Sequence, residues 1–187
     1  IEGVASHSGA TPMHLRKDAL VAASDCVLAA DAIAQESEDV RITMGRLLVH
    51  PGSITTIPGE VEFTVDIRAT EEAAQLRTAA ALERLFADIS ARHGTSSRAE
   101  RIAHIAPQPL SEPVRLVTEE AAAELGLAFR RLPSGASHDS QQIALVAPTA
   151  MIFVPSRAGI SHAPEEFSTT EQLHCGARLL LESLLRL

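Results

Sequence analysis

The chain has no tryptophan and no tyrosine, and only five phenylalanines in 187 residues. Aromatic platforms on which nucleobases could stack are therefore scarce. It also lacks an excess of positive charge. Sixteen Lys and Arg face 24 Asp and Glu, for a formal net charge of −8. An acidic surface repels phosphate backbones, which argues against nucleic acid as a partner. No apolar run approaches the ~18 residues of a spanning helix, so no membrane partner is expected. Cysteine is sparse too. Cys26 and Cys175 stand far apart and form no metal-type pair. That points to a reducing, cytoplasmic setting without a disulfide framework, and no signal peptide is visible.

Several catalytic signatures are missing as well. There is no H-E-x-x-H for a single-helix zinc site, no G-x-S-x-G elbow and no Gly-rich phosphate loop. Ser137, His138 and Asp139 have the residue types of a triad, but consecutive side chains diverge and cannot form a relay.

What is present is ordinary globular material, 45% hydrophobic and 21% charged, long enough for one domain or two small ones. Residues 1–7 read as a strand ending in the small-residue turn HSGATP. Thr11 and Pro12 suggest a helix start, and Leu20, Ala23, Val27, Ala30 and Ala34 continue at helical spacing to about Gln35. VRITMGRLLVH reads as a strand and PGSITTIPG as a turn. In EVEFTVDIRAT, Val61, Phe63, Val65 and Ile67 alternate with polar residues, the pattern of a half-buried strand. A helix is expected over 71–93, ending at Gly94, and RAERIAHIA reads as a fourth strand. The order βαββαβ fits a ferredoxin-like sandwich over residues 1–108, which places this half in the α+β class.

PQPLSEP marks a boundary. Residues 109–187 then read as helix to Gly126, short strand AFRRL, loop PSGASHDS, helix from Asp139, strand TAMIFVP, loop SRAGISHAPEEFS and a final helix. Alternating strands and helices suggest part of a parallel α/β sheet. This stretch is thin for a complete layered domain. Together with the patterned start IEGVASHSGATPM, this sets the expectation of a portion of a longer chain.

Loops at the carboxyl ends of parallel strands gather sites. His138 and His162 both fall in such loops. Neutral imidazole suits zinc, and Glu165 or Glu166 could hold the ring of His162. Residue types alone leave His162 either a metal ligand or a solvated polar residue. Arg68 is either a fork for a substrate carboxylate or one half of an ion pair with Asp66. His7 is either a turn residue or a catalytic donor.

Four segments in order, GVASHSGATPMHLRKDAL, PGSITTIPGEVEFTVDIRA, LPSGASHDSQQIA and AMIFVPSRAGISHAPEEFS, resemble the hydantoinase/carbamoylase branch of the dinuclear-zinc aminoacylase and carboxypeptidase superfamily. That branch holds N-carbamoyl-L-amino-acid amidohydrolases, β-ureidopropionases and allantoate amidohydrolases. The resemblance implies a lid or dimerisation domain over 1–108 and the carboxyl-terminal part of a catalytic α/β domain over 109–187. It implies two divalent metal ions, zinc or else manganese, cobalt or nickel. It implies a small ureido or carbamoyl amino acid as substrate and a homodimer formed through the lid. By the same resemblance His162 is a metal ligand, and His7 is a catalytic residue that reaches the partner's site to hold an oxyanion. Arg68 grips the substrate carboxylate, and Thr55, Gly135, Ala136 and His138 contact substrate. Thr55 stands where relatives commonly carry Asn, and a hydroxyl cannot reproduce a two-ended amide contact. Ser137 and Ser140 likewise replace smaller residues. By itself the chain is expected not to hydrolyse these substrates. A non-catalytic dimerisation module, and a dipeptidase or N-deacylase of the same superfamily, are the other readings.

Overall fold

Asp18 starts the first long helix. Its carboxylate accepts the backbone N–H groups of Leu20 at 2.9 Å and Val21 at 3.3 Å, satisfying donors that a helix start leaves unpaired. In the computed structural model, which describes residues 1–187, this helix, α1, spans Ala19–Gln35. The expected start at Thr11–Pro12 is corrected. Met13–Leu15 make one 3-10 turn, and Arg16 is extended again beyond it.

The strands are short. They are β1 (Ser6–His7), β2 (Arg41–Thr43), β3 (Leu47–His50), β4 (Thr56–Ile57), β5 (Glu60–Phe63) and β6 (Asp66–Arg68), followed by helix α2 (Glu72–Arg92). All pairs are antiparallel: β1 with β4, β2 with β6, β3 with β5. The expected strands over 40–50 and 60–68 are thus each broken in two. The register explains the break. Thr43 faces Asp66 and Leu47 faces Phe63, so Met44, Gly45 and Arg46 oppose only Thr64 and Val65. One extra residue on one arm is a β-bulge, which interrupts the ladder without ending the hairpin.

Glu2 bridges Glu60 on one side and Ser96 on the other. The fourth strand expected at 98–106 does not form beyond that bridge. Arg98–Ala106 are exposed throughout, so no buried apolar face holds them in a sheet. His104 Nε2 meets Glu72 Oε1 at 2.8 Å instead, tying the segment to the start of α2.

The core of this half lies between α1, α2 and the hairpin. With Leu20 and Ile33 packed at its margins, the fully buried residues of α1 are all small, Ala19, Ala22, Ala23, Cys26 and Ala30. Their size lets the helix come close. Leu82, Phe86 and Ile89 of α2 fill the space behind, and Phe86 meets Phe63 edge-on at 5.6 Å. Gly59 permits a similar approach, since a Cβ there would fall 2.8 Å from the Ala5 nitrogen.

The chain divides into two compact units, Ile1–Pro107 and Gln108–Leu187, with the break in the Pro-rich stretch. The second unit holds α3 (Glu112–Glu124), a single turn α4 (Ser140–Ile143) and α5 (Thr170–Leu184). Ser111 caps α3, and Thr169 with Gln172 forms a reciprocal capping box on α5. Ala121, Ala122 and Leu179 make its core, with Leu125, Leu127 and Ile152 packed against them. Gly176 has no Cβ to meet Val154, so the 149–155 segment can press onto α5. The strands expected at 128–132 and 149–155 are corrected: both segments are irregular, and no strand occurs within 108–187 to pair with them. The part of a parallel α/β sheet expected over 109–187 is not seen: this unit consists of helices and loops. No helix is long and apolar enough to cross a membrane.

Candidate active-site residues

His7 ends β1 and faces Thr56 across the β1–β4 pair. The next residue, Ser8, donates its backbone N–H to the carbonyl of Thr55 at 2.9 Å. His7 and Thr55 are therefore neighbours at one end of the hairpin, both exposed. The sequence separates them by the whole of α1 and β2–β3, and only the β1–β4 register brings them together.

The ring of His7 is oriented by its own loop. Nδ1 accepts the backbone N–H groups of Gly9 at 3.0 Å and Ala10 at 3.1 Å. A nitrogen accepting hydrogen bonds carries no proton, so in the neutral ring the proton sits on Nε2. His7 therefore presents an N–H donor outward.

Arg68 lies at the other end. It faces Arg41 at the last register position of β2–β6. About 25 Å of strand separates it from Glu60, at ~3.3 Å per residue. The register thus puts Arg68 beside Arg41 and His7 beside Thr56, on opposite sides of Glu60 along the chain. The Nε of Arg68 donates to Asp66 Oδ2 at 2.8 Å, so the ion-pair reading of that arginine is met within the chain.

In the second unit, the 133–139 loop is built around Ser134. Its hydroxyl oxygen accepts the N–H of Ala136 at 3.2 Å and lies 3.0 Å from His138 Nε2. Phe153 meets the half-buried imidazole of His138 edge-on at 5.8 Å. Gly135 and Ala136 are exposed at the rim of the loop. Neither Ser134 nor Phe153 was distinguishable in the sequence as a partner of His138, because serines are common in turns and Phe153 reads as core.

His162 occupies a left-handed backbone position, φ 58°. Side chains rarely adopt this conformation, and positions that keep one there are often functional. Glu166 does not hold the imidazole. Its Oε2 accepts the backbone N–H of His162 at 3.0 Å, and its own N–H donates to Ala163 O. The expected carboxylate partner is thus present but fixes the turn rather than the ring. The loop is closed at its base by Arg157, which donates its N–H to Phe167 O at 2.8 Å and lays its guanidinium 4.5 Å over the Phe167 ring. No group of three or more His, Cys, Asp or Glu side chains gathers anywhere in the chain. The residues present thus fit a contribution of one exposed imidazole donor to a metal centre.

Peptidases and amidohydrolases are the class of protein to which this chain is similar. The chain belongs to peptidase family M20/M25/M40, whose model matches residues 4–186. It is 37% identical over 187 residues to an N-carbamoyl-L-amino acid amidohydrolase of Geobacillus stearothermophilus, covering 100% of this chain and 46% of that protein. It is 34% identical over 191 residues to an allantoate amidohydrolase of Bacillus subtilis, covering 100% of this chain and 46% of that protein. The crystal structure of an amidase of the hydantoinase/carbamoylase family from Burkholderia vietnamiensis matches with a TM-score of 0.93 at 38% identity, over 99% of this chain and 45% of that one. The family resemblance carried by the four ordered motifs is borne out. The chain spans about half the length of the curated relatives it matches.

Proposed function

We propose that these residues are the lid and the carboxyl-terminal catalytic part of a metal-dependent amidohydrolase that cleaves the C–N bond of N-carbamoyl-L-amino acids or related ureido acids. The observation that carries this reading is the presentation of His7. Its Nδ1 is committed to two backbone N–H groups, so its outward Nε2–H can stabilise the oxyanion that develops at a scissile carbonyl. Thr55 shares that end of the hairpin and would add one hydroxyl contact to the substrate.

His162 is proposed as one imidazole donor to a divalent ion, which when bound supplies Lewis-acid polarisation of the carbonyl and an activated water. The other donors would come from outside residues 1–187. Arg68 would fix the substrate carboxylate and so orient the ureido group. Gly135, Ala136 and His138 would line the substrate side of the second unit.

The first unit is proposed to be of ferredoxin-like topology and to dimerise. Ser96, Glu2, Glu60 and His50 follow one another across the pairings, which supports the sheet order. Arg41–His50 pairs on one side only, leaving an edge that a second copy could extend. The separation of His7 from Arg68 gives this pairing a catalytic purpose, since two subunits could supply one residue each to a shared small substrate.

The test is an assay of a protein containing these residues at the full length of its relatives. Purified with zinc, manganese, cobalt or nickel, it should hydrolyse N-carbamoyl-L-amino acids or allantoate in preference to N-acyl amino acids and dipeptides. Turnover confined to dipeptides or N-acyl amino acids would overturn the ureido reading. Hydrolysis by the 187-residue chain itself would overturn the division of the site.

A further inference from the structure

We propose that Arg16 is a positioning residue for His7, which sets the imidazole tautomer through the loop between them. Arg16 is half-buried and follows the 3-10 turn. Its Nη2 donates to Ser8 O at 2.5 Å and its Nε to Thr11 O at 3.1 Å. One planar guanidinium thus pins both ends of the Ser8–Thr11 turn, a fork that lysine cannot reproduce.

Two other bonds close the same turn. Thr11 N–H donates to His7 O at 3.1 Å, and the hydroxyls of Ser6 and Thr11 lie 2.7 Å apart. Between the pinned ends stand Gly9 and Ala10, the residues whose N–H groups converge on His7 Nδ1. Gly9 lies close under the ring, for a Cβ there would sit 3.4 Å from His7 Cε1. The ring and the loop therefore fit as one unit. Peptide planes are rigid, so fixing the carbonyls of Ser8 and Thr11 limits where the intervening N–H groups can point. Arg16 touches neither ring nor substrate. It acts by holding two donors on Nδ1, which leaves the ring proton on Nε2. In a free neutral histidine both tautomers are available, and only one presents its N–H outward.

The catalytic consequence rests on the reading of His7 as an oxyanion donor, whereas the tautomer can be measured without it. The experiment is long-range proton–nitrogen NMR on the 187-residue chain carrying nitrogen-15 histidine, with amide exchange at Gly9 and Ala10. The wild-type chain should show His7 as the Nε2–H form. Arg16→Gln should turn this into a mixture of tautomers and speed Gly9 and Ala10 exchange roughly tenfold. Arg16→Lys, with one ammonium for two carbonyls, should fall between the two. Amide dispersion of α1 and α2 reports that each variant is folded. If Arg16→Gln disturbs the fold, Arg16→Lys carries the comparison. Unchanged His7 ring signals and unchanged Gly9 and Ala10 exchange in a folded variant would overturn the proposal. A shifted tautomer in the chain, with no loss of hydrolysis in the longer enzyme, would leave Arg16's role standing and remove His7 from the oxyanion site.

Discussion

Arg186 grips Glu124 with both terminal nitrogens. Nη1 donates to Oε1 at 2.8 Å and Nη2 to Oε2 at 2.7 Å, across sixty-two residues of sequence. The pair fastens the end of α5 to the end of α3. Arg131 does the same for the 128–132 segment, reaching Glu119 through Nε at 2.6 Å and Nη2 at 2.7 Å. Few large side chains are buried in this unit, and the two bidentate clasps tie its segments together at the surface.

Both carboxylates are held below the usual glutamate range, chiefly by the hydrogen bonds from Arg186 and Arg131. A group with a depressed folded pKa contributes stability above its unfolded pKa and loses it as pH falls through the folded one. The contribution is therefore whole at pH 7 and fades below about pH 4.5. Glu124→Gln and Glu119→Gln should each lower the denaturation midpoint at pH 7, and their deficit relative to wild type should shrink as the pH is taken below 4. Salt should shrink it too, because one partner of each pair, Arg131 and Glu124, is largely exposed. Urea titrations at pH 7, 5 and 3.5 read this directly. A deficit that grew on acidification would contradict the assignment.

The two cysteines should differ sharply in reactivity. Burial pushes the Cys26 thiol up to about 11, whereas Cys175 is partly exposed on α5. Thiolate is the reactive form. Iodoacetamide at pH 8 should modify Cys175 in the folded chain and spare Cys26 until denaturant is added. Mass spectrometry of the digested protein locates the label. Because the folded pKa of Cys26 is raised, its neutral thiol favours folding up to about pH 9, and that contribution is lost as pH rises towards 11. A Cys26→Ala chain, costed for its small cavity, should therefore show a flatter alkaline limb.

Helices were far more legible in the sequence than strands. Over α2 the apolar spacing and Gly94 agree with one another, Gly126 and Thr169 mark ends of α3 and α5, and the structure departs from these by a residue or two. A helix satisfies its own backbone, so its evidence is local. The start of α1 was misread because Thr11–Pro12 imitates a cap, while the working cap, Asp18, lies beyond a 3-10 turn. Strands depend on a neighbour. Residues 98–106, 128–132 and 149–155 have strand-like composition, but alternation tells which face is apolar and not whether a partner strand exists in the chain. The bulge opposite Val65 was equally invisible, since one inserted residue leaves no compositional mark. Among site residues, each loop could be placed in sequence, but the meeting of His7 with Thr55 and the distance of both from Arg68 follow from register alone.

That distance makes a prediction about subunits. If His7 and Arg68 serve the same substrate, they must come from different chains. In the longer enzyme, His7→Asn and Arg68→Met should each be nearly inactive alone. Mixed dimers of the two would contain one site with both defects and one with neither. Random mixing should then restore roughly a quarter of wild-type activity, as expected for half the dimers carrying one good site of two. If both residues served a site within one chain's reach, every site in the mixture would be defective and nothing would be regained. Unfolding and refolding the two variants together, against each refolded separately, makes the comparison.

His162 separates conformation from chemistry. Its φ of 58° costs a non-glycine residue about 1 kcal/mol or more, and glycine would relieve that strain. Glycine also adds freedom to the unfolded chain, worth about 0.4–1 kcal/mol in the opposite direction. The side chain is exposed, and the bond from Glu166 goes to the backbone N–H, so truncation removes little else. His162→Gly should therefore be as stable as wild type or more stable by up to about 1.5 kcal/mol, by difference of these two terms. His162→Val places a β-branched residue in the same backbone and should cost a further ~1–2 kcal/mol. Stability of the 187-residue chain in urea ranks these as glycine level with or above wild type, valine below. Hydrolysis by the longer enzyme should rank them otherwise. If His162 is the proposed donor, the glycine and valine forms should both fall by about 100-fold, and bound metal should fall with them. Should the glycine form keep both its metal and its activity, residue 162 would be a turn former and the donor would have to be sought elsewhere.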